Sequence, residues 1–304
     1  MSVVKAKIEQ EKVVLYLKKN FDDLIDHVEF IVGGESSQAF SFHTSNGDYI
    51  IRVNIWSTSG FEKDAYAYDH FKTENIPIPE IIEIGKIDET FNFAISKKAK
   101  GKTINKLSDE EYHKTFPCLI NILDSIHRTD INNSSGYGRW SNDGIAPYSS
   151  WKEFIFSVQK WVQNNDVFTS SFLEKDVWGI IFQKMEKLAE FCPEERYLVH
   201  GDYGSNNVTA ENGKVTGVFD WADSLYGDFV YDIAWMTFWL KDKEKQQSLE
   251  KYYEQRNINI FAERLLCYKL RIALGSMSFY SFSKQKEKYD LVKEQTLRLL
   301  GLIQ

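Results

Sequence analysis

The chain has 304 residues, enough for one large domain or two modest ones with sizeable cores. Its 43% hydrophobic and 27% charged residues are ordinary for a globular protein, and a formal charge of −7 disfavours nucleic acid as a partner. Cys118, Cys192 and Cys267 are scattered and form no CxxC, which argues against a zinc site or a disulfide framework. The expectation is a reduced, cytoplasmic protein: MSVVKAKIEQEKVVLYLKKN lacks a signal-peptide core, and no apolar run is long enough to cross a bilayer.

Residues 5–19 mix Ile8, Val13, Val14, Leu15 and Leu17 with charges, predicting a short amphipathic helix. A strand is expected over 28–32, then a small-residue loop, Gly33-Gly34-Glu35-Ser36-Ser37. Residues 39–43 and 49–53 read as a hairpin across Ser45-Asn46-Gly47-Asp48, followed by a helix over 61–71. The stiff segment Ile76-Pro77-Ile78-Pro79 leads into strands at 81–87 and 91–96, with Gly101 as a pivot beyond them. From Ser108 the pattern turns helical: 110–127 places its apolar residues at helical spacing, with His127 at the end as a structural or capping residue. Residues 132–148 form a Gly- and Asn-bearing loop with Tyr137, Trp140 and Tyr148, read either as a cleft wall or as plain surface. Helices follow over 151–164 and 171–191, then over 231–240, and three more span 243–300.

The most informative stretch is LVHGDYGSNNVTAENGKVTGVFDW, residues 198–221. An Asn-Gly turn at Asn212-Gly213 makes a hairpin that carries Asp202 and Asn207 before its first strand and Asp220 after its second. Two carboxylates and a carboxamide thus meet at one end of a small sheet. Phosphoryl transfer needs such a set: one carboxylate to accept the proton of an attacking hydroxyl, and hard oxygen donors to hold Mg²⁺. The spacing His200-x-Asp202-x-x-x-x-Asn207, then Asp220, matches the kinase arrangement of base Asp, metal Asn and metal Asp. In that arrangement Gly33, Gly34, Ser36 and Ser37 would cover the triphosphate. Arg52 stands where kinases place a phosphate-binding lysine, and its fork grips phosphate oxygens in two places at once. The backbone of Lys98 and Ala99 would meet the adenine at the hinge.

The tracts GGESSQAFSF, YIIRVN, IPIPEIIEIG, LVHGDYGSNNV and FDWADSLYGDFVYDIA together resemble the aminoglycoside phosphotransferases, and among them the branch that acts on hygromycin B. The resemblance runs in order from near residue 33 to about Trp239. It implies a bilobal, kinase-like α+β fold, with an antiparallel sheet lobe over residues 1–99 and a mostly helical lobe over 100–304. It implies an O-phosphotransferase using ATP, or GTP in its place, with Mg²⁺ on a hydroxyl of a cationic aminocyclitol antibiotic, and hence resistance. It favours Asp64 over Glu62 as the partner of Arg52, and Asp228 as a brace for the catalytic loop or a helix cap. It points to Asn206, Asp223 and Trp239 for the acceptor side. Two alternatives stay open: a metabolic kinase of the same fold acting on an amino alcohol, sugar or amino acid, and a catalytically silent nucleotide-binding relative. The oligomeric state is not legible.

Overall fold

The computed structural model describes residues 7–22, 24–33, 37–163 and 167–303. Helix α1 (Gln10–Asn20) precedes an antiparallel sheet of five strands: β1 (Asp26–Ile31), β2 (Gln38–Thr44), β3 (Gly47–Asn54), β4 (Ile81–Lys86) and β5 (Asn92–Lys97), in the order β1-β2-β3-β5-β4. Alternation along β2 and β3 puts Phe40, Phe42, Tyr49, Ile51 and Val53 on one face, where Val13 and Leu17 of α1 cover them. The first hairpin is tighter than expected. Thr44 pairs with Gly47, so the turn is Ser45-Asn46 and Gly47 already belongs to β3. Helix α2 (Ser59–Phe71) leaves β3 and crosses toward the second half of the chain.

Beyond the short strand β6 (Lys102–Thr103), α3 (Asp109–His127) begins with a reciprocal cap: Ser108 Oγ accepts the Glu111 N–H, and the Glu111 side chain accepts the Ser108 N–H. After β7 (Gly138–Arg139), a helix expected over 151–164 is broken into α4 (Trp151–Phe156) and α5 (Val158–Gln163). The break has a cause. Ser157 Oγ donates to the Phe154 carbonyl at 2.7 Å, and Arg271 Nη2 donates to that same carbonyl at 3.2 Å, diverting it from the helix ladder. A short helix α6 (Val167–Ser170) precedes the helix expected over 171–191, which starts later, as α7 (Lys175–Leu188), and closes in a 3₁₀ turn.

Strand β8 (Tyr197–Val199) joins β11 (Leu225–Gly227) and β7 in one small sheet, while β9 (Val208–Glu211), β10 (Lys214–Val218) and β6 form another. The β9–β10 turn is Asn212-Gly213, both with positive φ (53° and 81°), as its sequence demands. Four helices complete the chain: α8 (Val230–Trp239), α9 (Lys243–Glu254), α10 (Phe261–Phe282) and α11 (Lys286–Leu299). Among the described residues no helix is long and apolar enough to cross a membrane.

The helical core is pinned by a buried polar chain. Asp228 takes Arg264 Nε at 2.9 Å and Nη2 at 2.6 Å, and Tyr268 Oη at 2.5 Å, while Tyr268 Oη accepts from Trp151 Nε1 at 2.9 Å. Asp228 also accepts the Val230 N–H at the start of α8. Replacing Asp228 by alanine strands the Arg264 charge in the interior. The expected loss of stability is about 3–5 kcal/mol, read as a lowered denaturant midpoint with an unchanged slope.

Candidate active site

Strand β8 runs into His200, Gly201 and Asp202, and the turn requires glycine. Gly201 has φ +79°, and a Cβ there would lie 2.3 Å from the Asp223 carbonyl oxygen. The turn is gripped by Asp232 in the first turn of α8, whose Oδ2 accepts the His200 N–H at 3.0 Å and Oδ1 the Gly201 N–H at 2.8 Å. His127, from the end of α3, places Nε2 2.9 Å from the same Oδ2. The brace of this loop is therefore Asp232. Asp228, expected in that role, is engaged with Arg264 and Tyr268 on the helical side. His200 is fully buried, burial pushes its pKa down, and its Nδ1 accepts the Asp202 N–H at 3.3 Å. It is a neutral structural imidazole.

Asp202 is held by two donors: Trp235 Nε1 at 2.6 Å on Oδ1 and Asn207 Nδ2 at 2.7 Å on Oδ2. Asn207 also donates to the Asp202 carbonyl at 3.0 Å, and its own carbonyl accepts the Phe219 N–H at 3.0 Å. That last bond closes the hairpin and sets Asp220 next to Asn207. Burial, followed by the charges of Asp220 and Asp223, pushes the Asp202 carboxyl up to about 8 against the two hydrogen bonds. Burial also raises Asp220; Arg52 opposes this, whereas Asp64 and Asp223 add to it. Asp220 sits in the left-handed region, φ +65° and ψ +65°, a strained backbone for a non-glycine residue.

Arg52 and Asp64 are ion-paired and largely buried, so the expected partnership is present. Glu62 is occupied elsewhere, with Thr58 and Asn142. The other oxygen of Asp64 accepts the Trp221 N–H at 2.7 Å, which ties β3 through α2 to the residue after Asp220. Burial works against the Arg52 charge, but Asp64 and Asp220 outweigh it and hold the guanidinium above its ordinary pKa.

The remaining expected residues are less convergent. Gly33 and Ser37 flank the β1–β2 connection; Gly34 and Ser36 lie outside the described residues. The Lys98 N–H is already donated to the Asp48 carbonyl at 2.9 Å, leaving its carbonyl and the Ala99 backbone for a base. Asp223 pairs with Arg139 Nε at 2.7 Å, a cation that the sequence had not singled out. Asn206 is exposed and accepts from Asn105 Nδ2 at 2.6 Å. Trp239 packs against Trp235 with ring centres 5.9 Å apart, and its indole nitrogen is buried without an acceptor among the described residues. A surface cavity of about 480 Å³ beside α5 and α7, lined by Val162, Phe168 and Trp178, contains none of these residues. The chemistry lies at the hairpin end.

The chain matches the model of the phosphotransferase enzyme family over residues 27–265. It is 33% identical over 277 residues to hygromycin-B 4-O-kinase of Escherichia coli, covering 90% of this chain and 80% of that protein. Its fold is similar to that of aminoglycoside phosphotransferase APH(4)-Ia, with TM-score 0.88, 30% identity, and 97% and 99% of the two chains covered. A thermostable mutant of that enzyme in ternary complex with AMP-PNP and hygromycin B aligns with TM-score 0.84 and 29% identity, over 96% and 98% of the two chains.

Removing the Asp232 carboxylate should free two backbone donors and let the His200-Gly201-Asp202 turn shift. For Asp232→Ala, turnover in a coupled phosphotransfer assay is expected to fall about 100-fold or more, since displacements near 1 Å carry that cost. A variant that stays folded with full turnover contradicts this.

Proposed function

The chain belongs to the phosphotransferase enzyme family, and from that premise we propose that it phosphorylates a hydroxyl of hygromycin B or a close aminocyclitol relative, conferring resistance. The donor is ATP, with GTP as the substitute to be tested, and the 4-hydroxyl is the acceptor named for its relative in Escherichia coli. The observation that carries this reading is the fixed group Asp202–Asn207–Asp220. One carboxylate is aimed by an indole and a carboxamide, and the second is set beside that carboxamide by the hairpin closure.

The roles follow from these contacts. Asp202 receives the hydroxyl proton of the acceptor; burial and the neighbouring acids raise its pKa, a rise that a cation held by Asp220 would offset, leaving the carboxylate free to accept the proton. Arg52, steadied by Asp64, binds donor phosphates. Gly33, Gly34, Ser36 and Ser37 cover them, and Lys98 and Ala99 meet the base. Asn206, Asp223 and Trp239 face the acceptor: a carboxylate for its ammonium groups and an indole for a sugar face. We place the nucleotide-binding lobe at residues 1–99 and the acceptor-binding lobe at 100–304, and we assign the protein to the cytoplasm, a choice supported by its three free thiols.

Mg²⁺ fits the residues present. The Asn207 amide spends its NH₂ group on Asp202, which leaves its oxygen as a donor, and Asp220 is a half-buried carboxylate among other acids with too little nearby positive charge. Among the described residues no three His, Cys, Asp or Glu side chains form a cage of their own. Asn207 and Asp220 would therefore hold an ion whose other ligands are phosphate oxygens and water. When bound, the ion neutralises phosphate charge during transfer.

The test is ATP turnover by the purified protein with Mg²⁺, with and without hygromycin B, followed by mapping of the phosphorylated product. Turnover dependent on hygromycin B is expected, together with its loss on chelation. Asp202→Ala should lower kcat by about 100-fold or more with little change in the KM for ATP. Arg52→Met should mainly raise that KM. Turnover on simple amino alcohols or sugars but not on hygromycin B would reassign the acceptor and leave the phosphoryl site standing.

A further inference from the structure

Lys63 is a lysine where an apolar residue would be expected. It is 5% exposed, it lies on α2 next to Asp64, and its Nζ donates to two backbone carbonyls, Ala222 at 2.8 Å and Ser224 at 2.9 Å. The same Nζ stands 4.3 Å from the centre of the Trp140 ring, and its remaining direction is thus closed by an aromatic face. Burying an ammonium group is costly, and here burial pushes the Lys63 pKa down to about 7, with Asp223, Asp64 and Asp220 opposing the fall and Arg139 assisting it. Packing alone does not call for a charge at this position, because a methionine fills similar space without the desolvation cost.

What the charge holds is the turn after Asp220. Successive helix residues point about 100° apart, so Lys63 and Asp64 reach different parts of a neighbour lying along α2. That neighbour is the Trp221–Asp223 3₁₀ turn. Asp64 takes its first N–H, from Trp221, and Lys63 takes the carbonyls on either side of Asp223. The approach is close: a Cβ at Gly60, one turn earlier on α2, would lie 3.3 Å from the Ala222 Cβ. An anion bonded to the N–H and a cation bonded to the carbonyls leave the turn one orientation, and with it the strained Asp220 at its head.

We propose that Lys63 is a positioning residue which, together with Asp64, clamps the Asp220–Asp223 turn onto α2 and so fixes the metal-holding carboxylate relative to the phosphate-binding Arg52. The inference rests on the reading of Asp220 as a metal ligand. Lys63 touches neither nucleotide nor acceptor; it acts through the backbone of the turn. Its loss should therefore appear in how well a divalent ion is used and leave the binding of the acceptor alone.

The experiment compares wild type with Lys63→Met by calorimetric titration of AMP-PNP with and without Mg²⁺, and by steady-state kinetics with hygromycin B. The wild type is expected to bind AMP-PNP more tightly with Mg²⁺. Lys63→Met should match it without the ion and lose roughly 10- to 100-fold of the gain, as for other groups that orient a metal ligand. The Mg²⁺ concentration giving half-maximal rate should rise, kcat should fall, the KM for hygromycin B should stay within about twofold, and Tm should not drop. If Lys63→Met does not fold, Lys63→Arg, which keeps donors for the carbonyls, replaces it; the proposal requires it to retain most of the Mg²⁺-dependent gain. A Lys63→Met protein with the full gain and wild-type kcat overturns the inference alone, as does a fall of Tm and kcat accompanied by a rise of both KM values. A wild type that shows no Mg²⁺-dependent gain overturns the metal reading of Asp220 and the inference with it.

Discussion

The site depends on one buried carboxylate. Asp232 has no exposure to water, and its two oxygens are filled by the backbone N–H groups of His200 and Gly201 and by the His127 ring. A carboxylate in that position is tolerated because both of its oxygens have donors, and the donors are better satisfied by an anion than by a neutral acceptor. In return it joins three distant pieces of chain: the end of α3, the turn after β8 and the start of α8. Asp202 has no rigid element of its own. It inherits its position from this junction and from the Gly201 turn, which no residue with a side chain can make.

Around that anchor the electrostatics are deliberately unbalanced. Asp64 is matched by Arg52, and Asp223 by Arg139, whereas Asp202 and Asp220 are left to hydrogen bonds and to a more distant guanidinium. Burial and mutual repulsion raise both carboxyls, a sign that the protein interior holds less positive charge than this cluster would need to stay fully ionised. Such a deficit is expected where cations arrive with the substrates. The strain at Asp220 points the same way: a left-handed aspartate persists only where its surroundings fix it, and here Asp64 and Lys63 fix the turn that follows.

How much of this was legible in the sequence depends on the range of the interaction. The hairpin with Asp202, Asn207 and Asp220 could be read because strand alternation, an Asn-Gly turn and fixed spacing are local properties. The Arg52–Asp64 pair was reachable because strand and helix adjoin in the chain, though adjacency offered Glu62 as well and only the family resemblance favoured Asp64. Asp232 and Trp235 were missed for the opposite reason: both sit in an apolar helix whose pattern reads as core, and their partners are about 30 residues away or more. Lys63 contacts carbonyls roughly 160 positions on, and a backbone acceptor leaves no mark on the sequence at all. The same limit explains the helix expected whole over 151–164: Ser157 breaks it with help from Arg271, over a hundred residues later. Asp228 fitted both a cap and a brace; it caps the start of α8, and only the neighbours show that the brace is Asp232.

Helix α8 shows what this architecture implies for acceptor choice. Asp232, Trp235 and Trp239 are spaced i, i+3 and i+7, and therefore share one face of the helix. The first holds the turn that carries Asp202, the second hydrogen-bonds its carboxylate, and the third packs against the second. Under the proposed assignment of Trp239 to the acceptor side, a change there is transmitted through Trp235 to the Asp202 carboxylate. Specificity and base placement are carried on one rigid rod and are hard to alter separately. On the other side of the cleft, Asn206 and Arg139 sit in exposed loop and strand-end positions, whereas Asp223 lies in the turn held by Lys63 and its charge reaches Asp202. Drift toward a new acceptor is cheaper at the first two residues. Homologues that share the phosphoryl site should diverge first around Asn206 and Arg139, and last along the inward face of α8.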